Sequence, residues 1–318
     1  MNAGNTTRSI LFGSTCMLAA AISWGGMFPV AKATLQFVDP FFLTLIRYGI
    51  TSLIMLALLW ALEGRPSLIA EGRTWPLFLY GCAGFCGFGL LVFTGLRAST
   101  SAHGAILVAL MPLLTALVNA VTSRTLPARH TQFSIVVALV GVALVVSNGH
   151  PAALLESRSV WSDVLILAGV LSWVIYTLGA RRFAGWSPLR YSTLTVAYGV
   201  IGIALCTALA VASGAAHLPT ASHVADAAPH FLYIVIFASV VAVLGWNEGI
   251  RRIGPVNGVL FINFVPITAF VIQALQGHAF GRWELAGAAL VVAALLINNL
   301  MQRQKIISAP AVICTQGT

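Results

Sequence analysis

The chain has 318 residues, of which 59% are hydrophobic and only 8% charged, with a net charge of +9. A soluble domain carries about 25% charged residues, so a water-facing surface for 33.5 kDa of protein cannot be assembled here. Strand-period alternation is missing, which argues against a transmembrane β-barrel. The apolar blocks must therefore be helices, because lipid offers the backbone no hydrogen-bond partner.

Ten such blocks follow one another. The first, 10–35, is too long for a signal-peptide core and is followed by no small-residue cleavage site, so it is read as a retained helix. It carries Trp24 near its middle, Phe28 one turn later and Lys32 at its end. Interface tryptophans belong at helix ends. Trp24 and Phe28 are therefore read as walls for a flat or apolar solute, with ordinary packing as the alternative. Gly25, Gly26 and Pro29 are expected to break this helix and act as a hinge; Lys32 is expected to snorkel or to gate. The second block, 40–62, opens on Pro40 and holds Arg47 about 10 Å below its end. A guanidinium at that depth either receives a substrate carboxylate or pins neighbouring carbonyls. The third, 75–96, is crowded with glycine. The fourth, 101–122, begins near His103 and contains Pro112, where a kink is expected. The fifth, 131–147, is short.

The second set begins at 162–183 with Trp173 and, three residues on, Tyr176. The seventh block is 189–213 and the eighth 231–250, the latter with Trp246, Asn247 and Glu248. Glu248 is the one carboxylate well inside a block. Its i,i+3 spacing from Arg251 favours a helix-end salt bridge, so coupling to an ion, where present, rests on Glu248 or His103. This scarcity of acids leans toward facilitated diffusion or exchange. The ninth block, 256–276, holds Asn257, Asn263 and Pro266; Asn263 is deep enough to face a cavity. The tenth is 283–301, and residues 302–318 are expected to form a short disordered cytoplasmic tail, like the cytoplasmic segment 1–9 at the other terminus.

Placing the N-terminus in the cytoplasm puts twelve basic residues inside (Arg8, Arg65, Arg73, Arg124, Arg129, Arg181, Arg182, Arg190, Arg251, Arg252, Arg303, Lys305) and four outside (Lys32, Arg97, Arg158, Arg282). The positive-inside rule thus favours both termini in the cytoplasm. The net charge is loop bias and calls for no nucleic acid.

The two halves match in register. Ser23-Trp24 lies 149 residues before Ser172-Trp173, and Pro40 lies 148 before Pro188. Gly95-Leu96-Arg97 lies 154 before Gly249-Ile250-Arg251, and Gly104 and Pro112 match Gly258 and Pro266 at that same offset. Five helices per half is an odd number, so 10–150 and 151–301 would form inverted repeats with a midplane site between them.

Ser23–Lys32 (SWGGMFPVAK), Pro40…Leu45-Ile46-Arg47-Tyr48, Met111-Pro112 and Val265-Pro266 resemble the helix signatures of the EamA-type family in the drug/metabolite transporter superfamily. The resemblance implies a ten-helix, multi-pass protein of the bacterial inner membrane that moves small organic solutes. It departs from the family where a Gly-Glu pair often follows the fourth and ninth helices; here those places read Ser123-Arg124 and Gly277-His278.

No P-loop, HExxH or GxSxG is present, and the five cysteines show no zinc or disulfide spacing. The expectation is a carrier or exchanger without cofactor or metal, an exporter of metabolites such as amino acids. It would work by alternating access in the lipid bilayer, with a homodimer open. A channel-like permease or an efflux system for drug-like or quaternary-amine compounds is the alternative; a membrane-embedded enzyme or sensor comes last.

Overall fold

The computed structural model describes residues 3–147, 158–254 and 258–308. Among them all regular structure is helical. Ten helical segments follow the sequence blocks: α1 (Ala3–Thr34), α2 (Pro40–Glu63), α3 (Thr74–Ala98), α4 (Ser101–Ser123), α5 (Arg129–Ser147), α6 (Val160–Phe183), α7 (Pro188–Ala212), α8 (Ala221–Ile253), α9 (Leu260–Leu275) and α10 (Arg282–Ser308). Nine of them are long and apolar enough to cross a bilayer; α9, with 16 residues from 260 to 275, is the shorter tenth. Asn257 lies outside the described residues.

The helix starts are chemically fixed. Asp39 Oδ1 accepts the Phe41 and Phe42 amides at 2.9 and 3.0 Å with Pro40 in the first turn. Ser187 Oγ accepts the Arg190 amide at 2.9 Å with Pro188 in the first turn. This cap-and-proline device satisfies the orphan amides of a helix start and presets its first φ.

The bundle exposes apolar stripes and keeps a set of polar side chains buried within its core. Phe133, Val136 and Val140 form an exposed stripe on α5, and Ile201, Leu205 and Leu209 one on α7, whereas Thr44, Arg47, Thr51, Thr193, Thr195 and Ser239 are buried. In water this would be unfavourable; in lipid it is the expected arrangement.

Packing pairs map onto one another when the first five helices are exchanged with the last five. α1 packs on α8 as α6 packs on α3, α1 on α9 as α6 on α4, and α2 on α8 as α7 on α3; α2–α7 and α5–α10 pair with each other. Glycines make two of these crossings possible. A Cβ on Gly199 would lie 2.6 Å from the Gly81 carbonyl oxygen, and one on Gly141 would lie 2.7 Å from the Gly287 oxygen. Where helices gain nothing by leaving lipid for one another, close backbone approach is what holds them.

Both halves also carry the same irregularities. α3 contains a π-helical stretch at Cys82–Gly87 and α8 one at Tyr233–Val241. α4 is interrupted at Leu110 (φ −69°, ψ −7°), just before Met111-Pro112, and α9 changes from a 3₁₀ turn at Phe264 (φ −74°, ψ −16°), just before Val265-Pro266. The sequence places hinges at Pro112 and Pro266, and the backbone departs from α-helix just ahead of each.

Three expectations change. α1 is continuous through Gly25, Gly26 and Pro29 rather than broken. The glycines serve close approach instead: a Cβ on Gly25 would sit 2.6 Å from the Val265 carbonyl oxygen, and one on Gly26 would strike the Tyr233 hydroxyl. α8 begins ten residues before the expected 231, capped by Thr220 Oγ1 on the His223 amide at 3.2 Å; its polar first turns hide it from a hydropathy reading. α10 continues past Met301 to Ser308, the last described residue.

Candidate functional site

The repeat-related tryptophans each face a π stretch from the opposite half. Trp24 Nε1 donates to the Ala238 carbonyl at 3.1 Å, and its ring lies 5.2 Å from that of Trp246. A π turn frees carbonyls from the α ladder, which explains how a main-chain oxygen inside α8 can accept an indole. Trp173 lies 5.8 Å from Phe85, in the π stretch of α3, and 5.1 Å from Phe88 just after it. Gly84 in that stretch has no room for a Cβ beside Tyr176.

Arg47 joins the two groups. It is only 4% exposed. Its Nε donates to Ser239 Oγ at 3.1 Å, and that hydroxyl donates in turn to the Ile234 carbonyl at 2.9 Å. The guanidinium carbon lies 4.7 Å from the centre of the Tyr48 ring and 5.6 Å from that of Phe93, a cation–π setting. Tyr48 meets Phe85 edge-on at 5.1 Å, and Trp173 and Tyr176 are 4.9 Å apart. A chain of contacts therefore runs Trp246–Trp24–Ala238/Ser239–Arg47–Tyr48–Phe85–Trp173–Tyr176 through the bundle. Arg47 Nη1 is buried with no partner. Of the eight acids, Glu156 is outside the described residues; the other seven form no ion pair with Arg47.

The other predicted residues lie elsewhere. Phe28 is buried against Gly104 of α4. Asn247 Nδ2 is buried without a partner. Asn263 is buried, with Nδ2 donating to the Leu260 carbonyl at 2.9 Å and Oδ1 unpartnered. Lys32 Nζ donates to the carbonyls of Leu96, Arg97 and Ser99 at 2.9, 2.9 and 2.7 Å, so its three protons cap the C-terminus of α3. Glu248 accepts from Arg251 at 2.8 and 2.7 Å and from Arg252 at 2.5 Å. His103 Nε2 lies 3.8 Å from Glu284 Oε1.

Two cavities open at opposite ends of α4. One, of about 400 Å³, is lined by Lys32, Gln36, Ser101, Gln273, Gln276 and His278; this is the Lys32 end. The other, of about 380 Å³, is lined by Asn119, Ser123, Thr125, His130 and Thr131 among others. Neither is lined by Arg47, Trp24 or Trp173. The second lies at the end where Arg190 ties the α2–α3 loop to α7: its Nη2 donates to Glu71 at 2.7 Å and the Ile69 carbonyl at 2.8 Å, and its guanidinium sits 4.0 Å over the Trp186 ring. The Arg190 hydrogen bond first, and one from Trp186 Nε1 at 3.1 Å second, hold the Glu71 carboxyl below its ordinary range.

Sequence reasoning missed Ser239, Tyr48, Phe85 and Glu284. A lone serine in the apolar run of α8 was the available signal for the first, since intramembrane polar groups mark function.

A family model, the EamA-like transporter family, matches residues 11–147 and again 160–300. The chain is 35% identical over 300 residues, 93% of its length and 94% of the relative's, to the uncharacterized transporter YrdR of Bacillus subtilis. It is 25% identical over 291 residues, 90% of its length and 96% of the relative's, to the aromatic amino acid exporter YddG of Ancylobacter novellus. A solved crystal structure superposes with a TM-score of 0.61 at 21% identity, over 93% of this chain and 99% of that one. A multi-pass helical chain with lipid-facing apolar stripes and two copies of this family unit is a transporter of the bacterial inner membrane, and it belongs to the EamA-like transporter family.

Proposed function

We propose that the protein carries small organic solutes that join a carboxylate to an apolar or aromatic group, amino acids foremost, and that net flow is outward. The observation that carries this reading is Arg47: a permanently charged, buried guanidinium with one neutral hydrogen bond, an orphan Nη1 and, among the described residues, no acid paired with it. An uncompensated charge at that depth is costly, and a cargo carboxylate would complete it in the bidentate manner a guanidinium favours. The rings flanking it, Trp24, Trp246 and Trp173 with Tyr176, supply stacking surfaces on either side. The exporter relative named for aromatic amino acids is consistent with this chemistry.

Movement is by alternating access between two inverted five-helix repeats, 10–150 and 151–301, with both termini cytoplasmic, the Lys32 end outward and the Arg190 end inward. Supporting this are the self-mapping packing, the paired π stretches, and the matched interruptions before Pro112 and Pro266.

Counterflow in proteoliposomes tests it. Labelled L-phenylalanine and L-tryptophan should exchange saturably, while tryptamine, which lacks the carboxylate, should not. Arg47→Gln, shown to be folded by monodispersity, should lose that exchange. Equal exchange of tryptophan and tryptamine, or an unaffected Arg47→Gln, would remove the carboxylate from the reading. Flux without saturation would turn it to a channel.

A further inference from the structure

Three titratable side chains gather at the Lys32 end, away from Arg47. His103 lies in the first turn of α4, where Thr100 Oγ1 accepts its backbone amide at 3.2 Å. Glu284 lies in the first turn of α10. Their Nε2 and Oε1 atoms are 3.8 Å apart, and the side chains are only 15% and 11% exposed. His278, in the turn between α9 and α10, lines the adjoining cavity. Of the other charged groups at this end, Lys32 is committed to the α3 carbonyls, Arg282 lies over the Trp283 ring, and Asp163 accepts from Ser99 Oγ at 3.1 Å.

Two features make this more than a helix-end pair. First, α4 and α10 share no extended packing of their own; both lie against α5 and α9, and α4 against α1 and α6 as well. The His103–Glu284 approach therefore links directly two helices that are otherwise joined through α5 and α9. Second, the bridge is built from groups whose charge can change. At 3.8 Å a neutral imidazole has no ion pair to offer, whereas an imidazolium facing a half-dry carboxylate attracts it strongly, because water screens poorly there.

The geometry points to a proton-binding site at the Lys32 end, in which His103 Nε2 takes a proton from the cavity and, so charged, ties α4 to α10 through Glu284. The first half of α4, Ser101–Ala109, ends at the interruption before Pro112, so this tie acts on a segment that can swing. Proton occupancy then sets how tightly the Lys32 end closes. Only the consequence for transport rests on the carrier reading; the site and its effect on the cavity do not.

Ala33 lines the cavity, and an Ala33→Cys reporter read in detergent micelles needs neither a substrate nor a membrane orientation. Its labelling by a charged methanethiosulfonate is measured from about pH 8 to about pH 4, reaching past the free-imidazole range because His103 is largely shielded from water, and normalised to a free small thiol. Labelling of the parent chain is subtracted. The expected result is a fall of at least about three-fold toward low pH, roughly the response of a two-state closure shifted by one charge pair. His103→Gln and Glu284→Gln should each flatten it, and His278→Gln should leave it. A flat profile in the reporter chain, or a fall that survives His103→Gln, would overturn the proposal. A fall lost only in His278→Gln would move the proton to that residue and overturn it equally. Should Glu284→Gln fail to fold, His103→Gln decides alone.

Discussion

Trp24 and Trp173 occupy matching places in the two halves, each against a π stretch from the opposite half, yet their surroundings differ. Trp24 spends its indole proton on a main-chain carbonyl, beside the residue that holds Arg47. Trp173 sits among Phe85, Phe88 and Tyr176. That ring cluster continues through Tyr191, stacked on Tyr176 at 5.1 Å, and Phe183 to Trp186 and Arg190. A duplicated backbone fixes where the rings stand, but the side chains around them have become different: one group polar and incomplete, the other aromatic and tied to a loop network. Under the proposed function, the asymmetry would offer a cargo one charged contact and one apolar wall.

The largest effect expected on this contrast is from Trp173→Ala. Removing a ring from a packed cluster costs on the order of 3 kcal/mol, so thermal unfolding in detergent should drop by several degrees, against a smaller drop for Trp24→Ala. Equal drops would mean that the two tryptophans do the same job. Next, Trp24→Ala should weaken the affinity of aromatic solutes about ten-fold, the equivalent of about 1.4 kcal/mol, seen as a raised half-saturation in counterflow with little change in the maximal rate.

Ser239→Ala sharpens the polar side. It removes the one hydrogen bond that orients the Arg47 guanidinium, worth roughly 1.5–3 kcal/mol for a charged partner. Part of that returns if the freed Nε finds the cargo, so a net loss of affinity of a few-fold is expected by the same counterflow assay. Gly199→Ala probes the scaffold under both groups: a methyl facing the Gly81 oxygen should destabilise by about 1–3 kcal/mol, read as a lower unfolding temperature with the solute preference unchanged.

The smallest effect concerns the loop that anchors the aromatic side. Because Glu71 is held below its ordinary range in the folded chain, its contribution is fully present above the unfolded glutamate value and disappears as pH falls through the lowered folded value. Glu71→Gln should therefore lower the unfolding temperature slightly at neutral pH and flatten its acid limb, so that the two chains converge as pH falls. An unchanged acid limb would show that the Arg190 network acts through Trp186 and the carbonyls alone.

Much of this was legible beforehand. The ten apolar segments, the matched prolines and the paired tryptophans could be read because bilayer thickness and the repeat offset impose strict lengths and spacings. The candidate site was marked in the sequence by Arg47, where a charge stands out against apolar neighbours. Glu284 was not, because an acid in a first helical turn reads as ordinary dipole complementation, and only the fold brings His103 to it. Nor was the start of α8, whose polar residues imitate a loop. The π stretches leave no spacing signature at all, since they shift a hydrogen-bond register rather than a pattern of side chains.

Those stretches carry a mechanical consequence. A π turn stores extra chain inside an otherwise regular helix. Returning one such residue to the α spiral advances everything beyond it by about 1.5 Å and turns it by about 100°. The helix does not have to unwind for this, so no backbone group is stranded in lipid. In α8 the stored slack lies at Tyr233–Val241, the stretch whose Ala238 and Ser239 grip Trp24 and Arg47. A small screw motion there would release both at once, while the same slack in α3 re-aims the rings facing Trp173.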